Sequence, residues 1–373
     1  MKLVLNRNSK LNFLDDRIEV YLNGYVHTVD HSLYSIFKEL ECNPYLNTDK
    51  YDNHYIDALI GQEILVNHEE RGYLTPVDKT FANCELFNQS SDKKAFGIVG
   101  IPYDLGTFSP YSNSGARFAP VDIRESSDTF GDLHTEIFDI SSNKKLDISI
   151  SDFGDITVLK PFMSHNDAHA IIKNHSNFVR KNCETPIYLG GDHSVTRSIV
   201  NSDVEYLLWF DAHTDYGDSN KHFHNCVLKN IVEENPGIKK IYCFGIRRFI
   251  PANEYNNIFE SKKIEFVNIN DISKIEMILC NIKGRNVHCS IDMDCFDPAY
   301  CPDVGYPMPN GLSLSQVEQF IFQLINVNLS KISFDFVESY HKPNYNSKSN
   351  ITSLTVVYLI LCIVSGKNGN KVN

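Results

Sequence analysis

Residues 206–215 read "YLLWFDAHTD": five apolar or aromatic residues run directly into Asp211, His213 and Asp215. In an extended backbone, alternate side chains share a face, so these three groups are expected to converge where a strand ends. Two carboxylates and an imidazole gathered beside so apolar a run cost desolvation and mutual repulsion, which a bound cation would offset.

The same apolar character recurs in "AFGIVGI" (95–101), "PIYLGG" (186–191), "KIYCFGI" (240–246), "NVHCSIDMD" (286–294) and "KISFDFVE" (331–338). Their hydrophobicity is continuous rather than alternating, as parallel strands covered on both faces require. The intervening segments are helix-like. An α/β sandwich of helices, sheet and helices follows, with ligands bound beyond the carboxyl ends of the strands.

The first 92 residues read differently. "HSLYSIFKEL" places Leu33, Ile36, Phe37 and Leu40 on one helical face, and "YIDALIGQEILVNHEERGYLT" predicts a second helix running into a polar-tipped hairpin. This segment is expected to be a small helix-plus-hairpin module of winged-helix type. "NCELFNQSSDKK" (83–94) reads as a linker to a catalytic domain spanning 93–373.

The chain has 373 residues and a net charge of -12, which argues against nucleic acid or an anionic membrane as partner. Its ten cysteines include no Cys-x-x-Cys pair and several lie in apolar runs, so reduced thiols and a cytoplasmic location are expected. No secretory signal is read at the N-terminus. "ITSLTVVYLILCIV" (351–364) is too short and too polar at its start to span a bilayer, and is expected to be a buried helix or strand.

Two further segments repeat the pattern of the opening stretch. "LGGDHSVTRS" (189–198) sets His193 where a strand turns through glycines into a helix, and "SIDMDCFDP" (290–298) sets Asp292 and Asp294 two apart after an apolar strand. Together the three strand ends offer four carboxylates and two imidazoles. Such a set exceeds one tetrahedral zinc and suits two divalent cations sharing a carboxylate, with the oxygen-rich shell favouring Mn²⁺. Cys295 is not counted as a ligand, and Asp192 and Asp297 are expected to orient loops.

In combination these segments resemble the ureohydrolase superfamily of arginases, agmatinases, guanidino-acid hydrolases and formimidoylglutamases. "GIPYDLGTFSPYSNSGARFAPVDIRESS" (100–127) is similar to the agmatinase-like opening of that family. The resemblance implies a three-layer sandwich around an eight-stranded, mainly parallel sheet. It implies that His193, Asp211, Asp215 and Asp292 hold one metal and that Asp211, His213, Asp292 and Asp294 hold the other. It also implies a homo-oligomer.

Two cations roughly 3.5 to 4 Å apart can share a water and lower its pKa enough to yield hydroxide near neutral pH. Bridging hydroxide is a suitable nucleophile for a guanidinium carbon, and Asp215 would aim it. By resemblance, His224 in "KHFHNC" is the proton shuttle, with His222 as its neighbour, and Glu338 in "SFDFVESY" pairs with the substrate guanidinium.

The substrate is read from departures. In enzymes of free arginine the loop before the shuttle histidine is longer and binds the α-carboxylate; here it is only "YGDSNKHF", with Gly217 two beyond Asp215. Ile250 stands where an acid would hold the α-ammonium group, unless Glu254 takes over, and Arg247 and Arg248 would repel an amine or bind a carboxylate. The N-terminal module resembles peptide-recognition domains of enzymes that mature ribosomal peptides. Arginine within a peptide, converted to ornithine with release of urea, is the expected substrate. Alternatives are an agmatinase or other small guanidine or guanidino-acid hydrolase, a formimidoylglutamase using Arg247 or Arg248, or a catalytically silent binding protein.

Overall fold

The computed structural model describes all residues except 1, 7–8, 23–24, 44, 89–92, 108–114, 132–136, 142, 147–148, 159–162, 218–221, 248, 341–349 and 370–373. The N-terminal part contains β1 (Leu3–Leu5), β2 (Lys10–Phe13), β3 (Arg17–Leu22), β4 (Tyr25–Asp30), α1 (Tyr34–Cys42), α2 (Asn53–Gly61), β5 (Leu65–Asn67) and α3 (His68–Arg71). β2, β3 and β4 form an antiparallel meander, and β1 pairs with β5. Ile18, Val20, Leu22 and Val29 of the meander pack on Ile36 and Phe37 of α1 and on Ile56 and Leu59 of α2. The apolar face read from "HSLYSIFKEL" is therefore a core face.

The hairpin expected in 55–75 does not form. "NHEER" supplies α3, so β5 turns to β1, while β6 (Leu74–Thr75) leaves the module and pairs antiparallel with a strand of the large sheet. The expected linker is likewise drawn in: β7 (Glu85–Leu86) pairs with that same strand, and Phe81, Ala82 and Phe87 are buried in the large cores. The guanidinium of Arg71 lies 5.8 Å from the Phe87 ring and 5.3 Å from the Phe178 ring, joining the two parts of the chain.

The large part follows with β8 (Lys94–Gly100), α4 (Ala119–Ser127), the two-residue ladder of β9 (Phe138–Asp139) and β10 (Lys144–Lys145), β11 (Ile150–Ile156), α5 (His165–Asn182), β12 (Cys183–Leu189), α6 (Thr196–Ile199) and β13 (Tyr206–Phe210). It continues through α7 (Val227–Glu234), β14 (Lys240–Phe244), α8 (Ala252–Ser261), β15 (Ile264–Val267), α9 (Ile272–Ile282), β16 (Asn286–Asp292), α10 (Leu314–Ile325), β17 (Lys331–Val337) and α11 (Ile351–Gly369). The sheet order is β15-β14-β13-β16-β17-β12-β8-β11-β6. The eight strands from β15 to β11 are mutually parallel, and β6 and β7 add short extensions on β11.

All six apolar runs are strands of this sheet, and each face is covered. Leu208 and Phe210 of β13 enter the core beneath α4, α9, α10 and α11. Leu207 and Trp209 enter the opposite core with α7 and α8, and Tyr188 packs with α5 and α6. The C-terminal apolar stretch is a buried helix, and among the described residues no helix is long and apolar enough to cross a membrane.

A buried arginine is paired with carboxylates of the sheet. Arg124 on α4, 1% exposed, bonds Asp152 at 2.8 and 2.9 Å and Asp155 at 2.7 Å, which ties α4 to β11. Nine cysteines among the described residues are free thiols.

Candidate metal centre and substrate pocket

The predicted ligands come together beyond the C-terminal ends of β12, β13 and β16, but not by the period of an extended strand. β13 stops at Phe210, and the Asp211 carboxylate accepts the backbone N–H of His213 at 2.6 Å. Asp292 accepts the N–H of Asp294 at 2.9 Å, and Asp192 that of Ser194 at 3.0 Å. At or just beyond each strand end an aspartate bends the chain by capturing the amide two residues on. The spacing of two comes from this turn, which replaces the pleat as the physical reason for convergence.

His193 Nδ1 faces three carboxylate oxygens, from Asp211 at 3.2 Å, Asp215 at 3.2 Å and Asp292 at 3.1 Å. His213 Nδ1 lies 3.0 Å from Asp294 and 3.7 Å from Asp211. His193, Asp211 and Asp215 form one group able to hold a metal ion, and Asp211, His213 and Asp294 form another, so Asp211 belongs to both.

The donor set fits divalent cations. Four buried carboxylates face two imidazoles, so with all six groups ionised the cluster would carry two negative charges in excess (four minus two), a surplus that a bound cation relieves. Burial and the neighbouring Asp211 push Asp215 up to about 6, and burial together with Asp294 and Asp211 raises Asp292 well above the carboxylate range. His193 Nδ1 is buried without a hydrogen bond.

His193 is oriented by a buried network. Its Nε2 is 3.0 Å from Ser290 Oγ, whose hydroxyl donates to Asp335 at 2.6 Å. Ser290 therefore accepts from Nε2–H, which leaves the Nδ1 lone pair turned toward the carboxylates. Asp335 also takes a bond from Thr196 at 2.9 Å and meets His288 Nε2 at 2.9 Å. The His193 ring stacks on Trp209 at 4.1 Å, and the indole N–H donates to Asp211 at 3.0 Å. The sequence analysis missed this layer. Its signal was present: His288 and Ser290 stand two apart on β16, directly opposite Ser333 and Asp335 on β17.

Glu338 and Asp215 both take left-handed backbone conformations, with φ of 60° and 47°. Such conformations in non-glycine residues concentrate at functional sites. Glu338 Oε1 accepts the backbone N–H of His193 at 2.8 Å and meets His224 Nδ1 at 3.0 Å, while its Oε2 is buried without a hydrogen bond. Burial would lower the pKa of His224, but Glu338 holds it up at about 10. His222 stands elsewhere, stacked on His165 at 5.1 Å.

Asp192 orients a loop as expected: it accepts the N–H of Gly106 at 2.6 Å, and the Gly106 carbonyl accepts the N–H of His224 at 3.1 Å. A side chain on Gly106 would collide with Ser194 and Asp192. Asp297 accepts amides of Ala299 and Asn310 at 3.1 and 3.0 Å. Cys295 is in the apolar core, outside both ligand groups.

A cavity of about 490 Å³ opens over this site. Its walls include His213, Asp215, His224 and Glu338, together with Tyr306, Met308, Phe249, Ile250 and Glu254. The Thr214 hydroxyl donates to Glu254. The loop after Asp215 is closed by Gly217 N–H on the Asn225 carbonyl at 2.9 Å. Arg247 corrects the expectation of a carboxylate binder: its three nitrogens bond the carbonyls of Gly245, Asp294, Cys295, Phe296, Met308 and Pro309, at 2.7 to 3.3 Å. Arg248 lies outside the described residues.

Residues 94–366 match the model of the Arginase family. An uncharacterized 32.2 kDa protein of Methanothermus fervidus is 34% identical over 66% of this chain and 85% of its own length. The agmatinase of Blochmanniella floridana is 30% identical over 65% of this chain and 78% of its own. The crystal structure of the agmatine ureohydrolase of Thermoplasma volcanium superposes with a TM-score of 0.59 at 26% identity, over 74% of this chain and 90% of that one. The family match spans the eight parallel strands, every strand end that carries a candidate ligand, and Glu338: the chain is an enzyme of the arginase family, within the ureohydrolase superfamily.

Proposed function

We propose that the chain hydrolyses the guanidinium group of an arginine within a peptide, leaving ornithine and releasing urea. The observation that carries guanidinium chemistry is Glu338 Oε2, a buried carboxylate oxygen without a hydrogen bond in the wall of the same cavity as His213, Asp215 and His224. A planar cation with several N–H donors is the natural complement of that oxygen.

His193, Asp211, Asp215 and Asp292 would hold one divalent cation and Asp211, His213, Asp292 and Asp294 a second, with Asp211 and Asp292 shared and manganese favoured by the oxygen-rich donors. When bound, the pair supplies Lewis acidity and an activated water at neutral pH. Glu338 fixes the guanidinium so that its carbon faces the ligand cluster. Asp215 orients the attacking water through a hydrogen bond. As the carbon–oxygen bond forms, Asp215 takes one proton of the water and passes it to solvent; His224, held protonated beside Glu338, gives its proton to the departing amine nitrogen as the carbon–nitrogen bond breaks and recovers the adduct's hydroxyl proton, so that urea and a neutral amine leave.

Three features support a peptide over a free amino acid. The loop closed by Gly217 and Asn225 leaves little chain to bind an α-carboxylate, and Arg247 is committed to carbonyl oxygens. The cavity is of a size that takes ligands well beyond a single small guanidine. The N-terminal meander offers strand edges to which an extended peptide can add. A homo-oligomer is part of the proposal by family analogy.

Glu254 favours a second reading. Its carboxylate stands in the wall of the cavity and could hold a second cationic end, as in agmatine. Urea release measured in parallel from an arginine-containing peptide, agmatine and free arginine separates the two. Preference for the peptide supports the first reading, and preference for agmatine replaces it with the second.

A further inference from the structure

The geometry points to Tyr306 as the residue that selects the substrate side chain, its ring forming the wall against which the guanidinium and its methylene stem lie. Tyr306 lines the same cavity as His213, His224 and Glu338. Its ring centroid is 6.2 Å from that of His213 and 6.0 Å from that of His224. His213 belongs to one ligand group, and His224 is bonded to Glu338. A group that meets Glu338 Oε2 and faces the ligand cluster therefore lies within reach of the Tyr306 ring.

The backbone makes this placement durable. Val304 pairs with Ser339 in an antiparallel bridge, immediately beyond Glu338, and Tyr340 N–H donates to the Asp303 carbonyl at 2.9 Å. Gly305 packs so closely on the Tyr340 ring that an added Cβ would stand 2.8 Å from its hydroxyl. The loop carrying Tyr306 is thus joined to the strand end carrying Glu338, and the aromatic wall and the carboxylate keep a fixed separation. An aromatic face attracts a guanidinium through its quadrupole and packs on methylene groups as well.

This inference rests on the proposed action on a guanidinium, so its test has two readouts. On the full manganese-loaded chain, urea release gives kcat and KM, and calorimetry gives the affinity for agmatine, with wild type compared against Tyr306→Phe, Tyr306→Leu and Tyr306→Ala at verified metal content. Tyr306→Phe should stay within about twofold of wild type, while Tyr306→Ala should raise KM and weaken agmatine binding by roughly tenfold, with kcat changed far less. Tyr306→Leu should fall with Ala if the aromatic face matters. Unchanged KM and affinity in Tyr306→Ala would overturn the assignment, as would a loss confined to kcat with falling metal content, which would make the ring a support for His213. If wild type binds agmatine without releasing urea from any guanidine, the proposed function fails while the affinities still judge Tyr306. If it neither binds nor turns over a guanidine, both are overturned.

Discussion

His224 Nδ1 lies 3.0 Å from Glu338 Oε1, and that same oxygen accepts the backbone N–H of His193. One carboxylate therefore links the proposed proton donor to the first ligand loop, while its second oxygen is buried without a hydrogen bond. The pairing supports the proposal that His224, rather than its neighbour His222, is the proton carrier.

His224→Asn should leave metal content intact and slow turnover by about 10² to 10⁴. The pairing with Glu338 holds the imidazole protonated up to about 10, so turnover should fall on the alkaline side as that proton is lost. Cations held by the proposed ligands would repel an imidazolium, which would put the fall below that value. The same raised pKa contributes stability that is fully present below about 6.5 and lost as pH rises through about 10. His224→Asn should therefore cost more stability at pH 6 than at pH 10 and should remove the alkaline fall in rate. A variant with wild-type rate and pH profile would move the role to another group.

Asp211→Ala and Asp292→Ala should each abolish turnover and lower metal content at both positions, because each carboxylate is proposed to be shared. Elemental analysis after manganese loading measures this. Loss of a single ion with activity retained contradicts the shared assignment.

Asp152→Ala should destabilise the fold by about 3 to 5 kcal/mol in chemical denaturation, since it strips the buried Arg124 of a bidentate partner. It lies on β11, outside both ligand groups and separated by β8 from β12 and the His193 loop, so metal affinity of the folded protein should be unchanged. A cost below about 1 kcal/mol would mean that Asp155 and the Gly154 carbonyl suffice.

The N-terminal part is best tested by substitution, because β6, β7 and Phe81 belong to the large sheet and its core, and a cut at residue 92 would remove them. Tyr21 and Val26 are direct cross-strand neighbours, both exposed. Replacing both with Asp should raise KM for an arginine peptide by roughly tenfold, as expected if tethering raises local concentration, while agmatine turnover stays unchanged. Equal peptide kinetics in variant and wild type would remove this face from the proposal.

What the sequence made legible follows from what is abnormal locally. Carboxylates and imidazoles after apolar runs stand out, so His193, Asp211, His213, Asp215, Asp292 and Asp294 could be gathered before any geometry. β11 is not among the six apolar runs because "ISDFGDI" carries two aspartates, and their partner, Arg124, is far away in sequence. β15 has only four residues. The hairpin failed because β5 and β6 each found a distant strand, β1 and β11. Tyr306 and the commitment of Arg247 to six carbonyls depend on loops brought together only by the fold.

The most direct test of guanidinium hydrolysis is to incubate the manganese-loaded chain with an arginine-containing peptide and quantify urea, ammonia and the modified residue together. Equal amounts of urea and ornithine, formed with metal and absent after chelation, are the expected result. Ammonia with citrulline in place of urea, or no change in arginine despite full metal loading and no turnover of agmatine, would contradict the account.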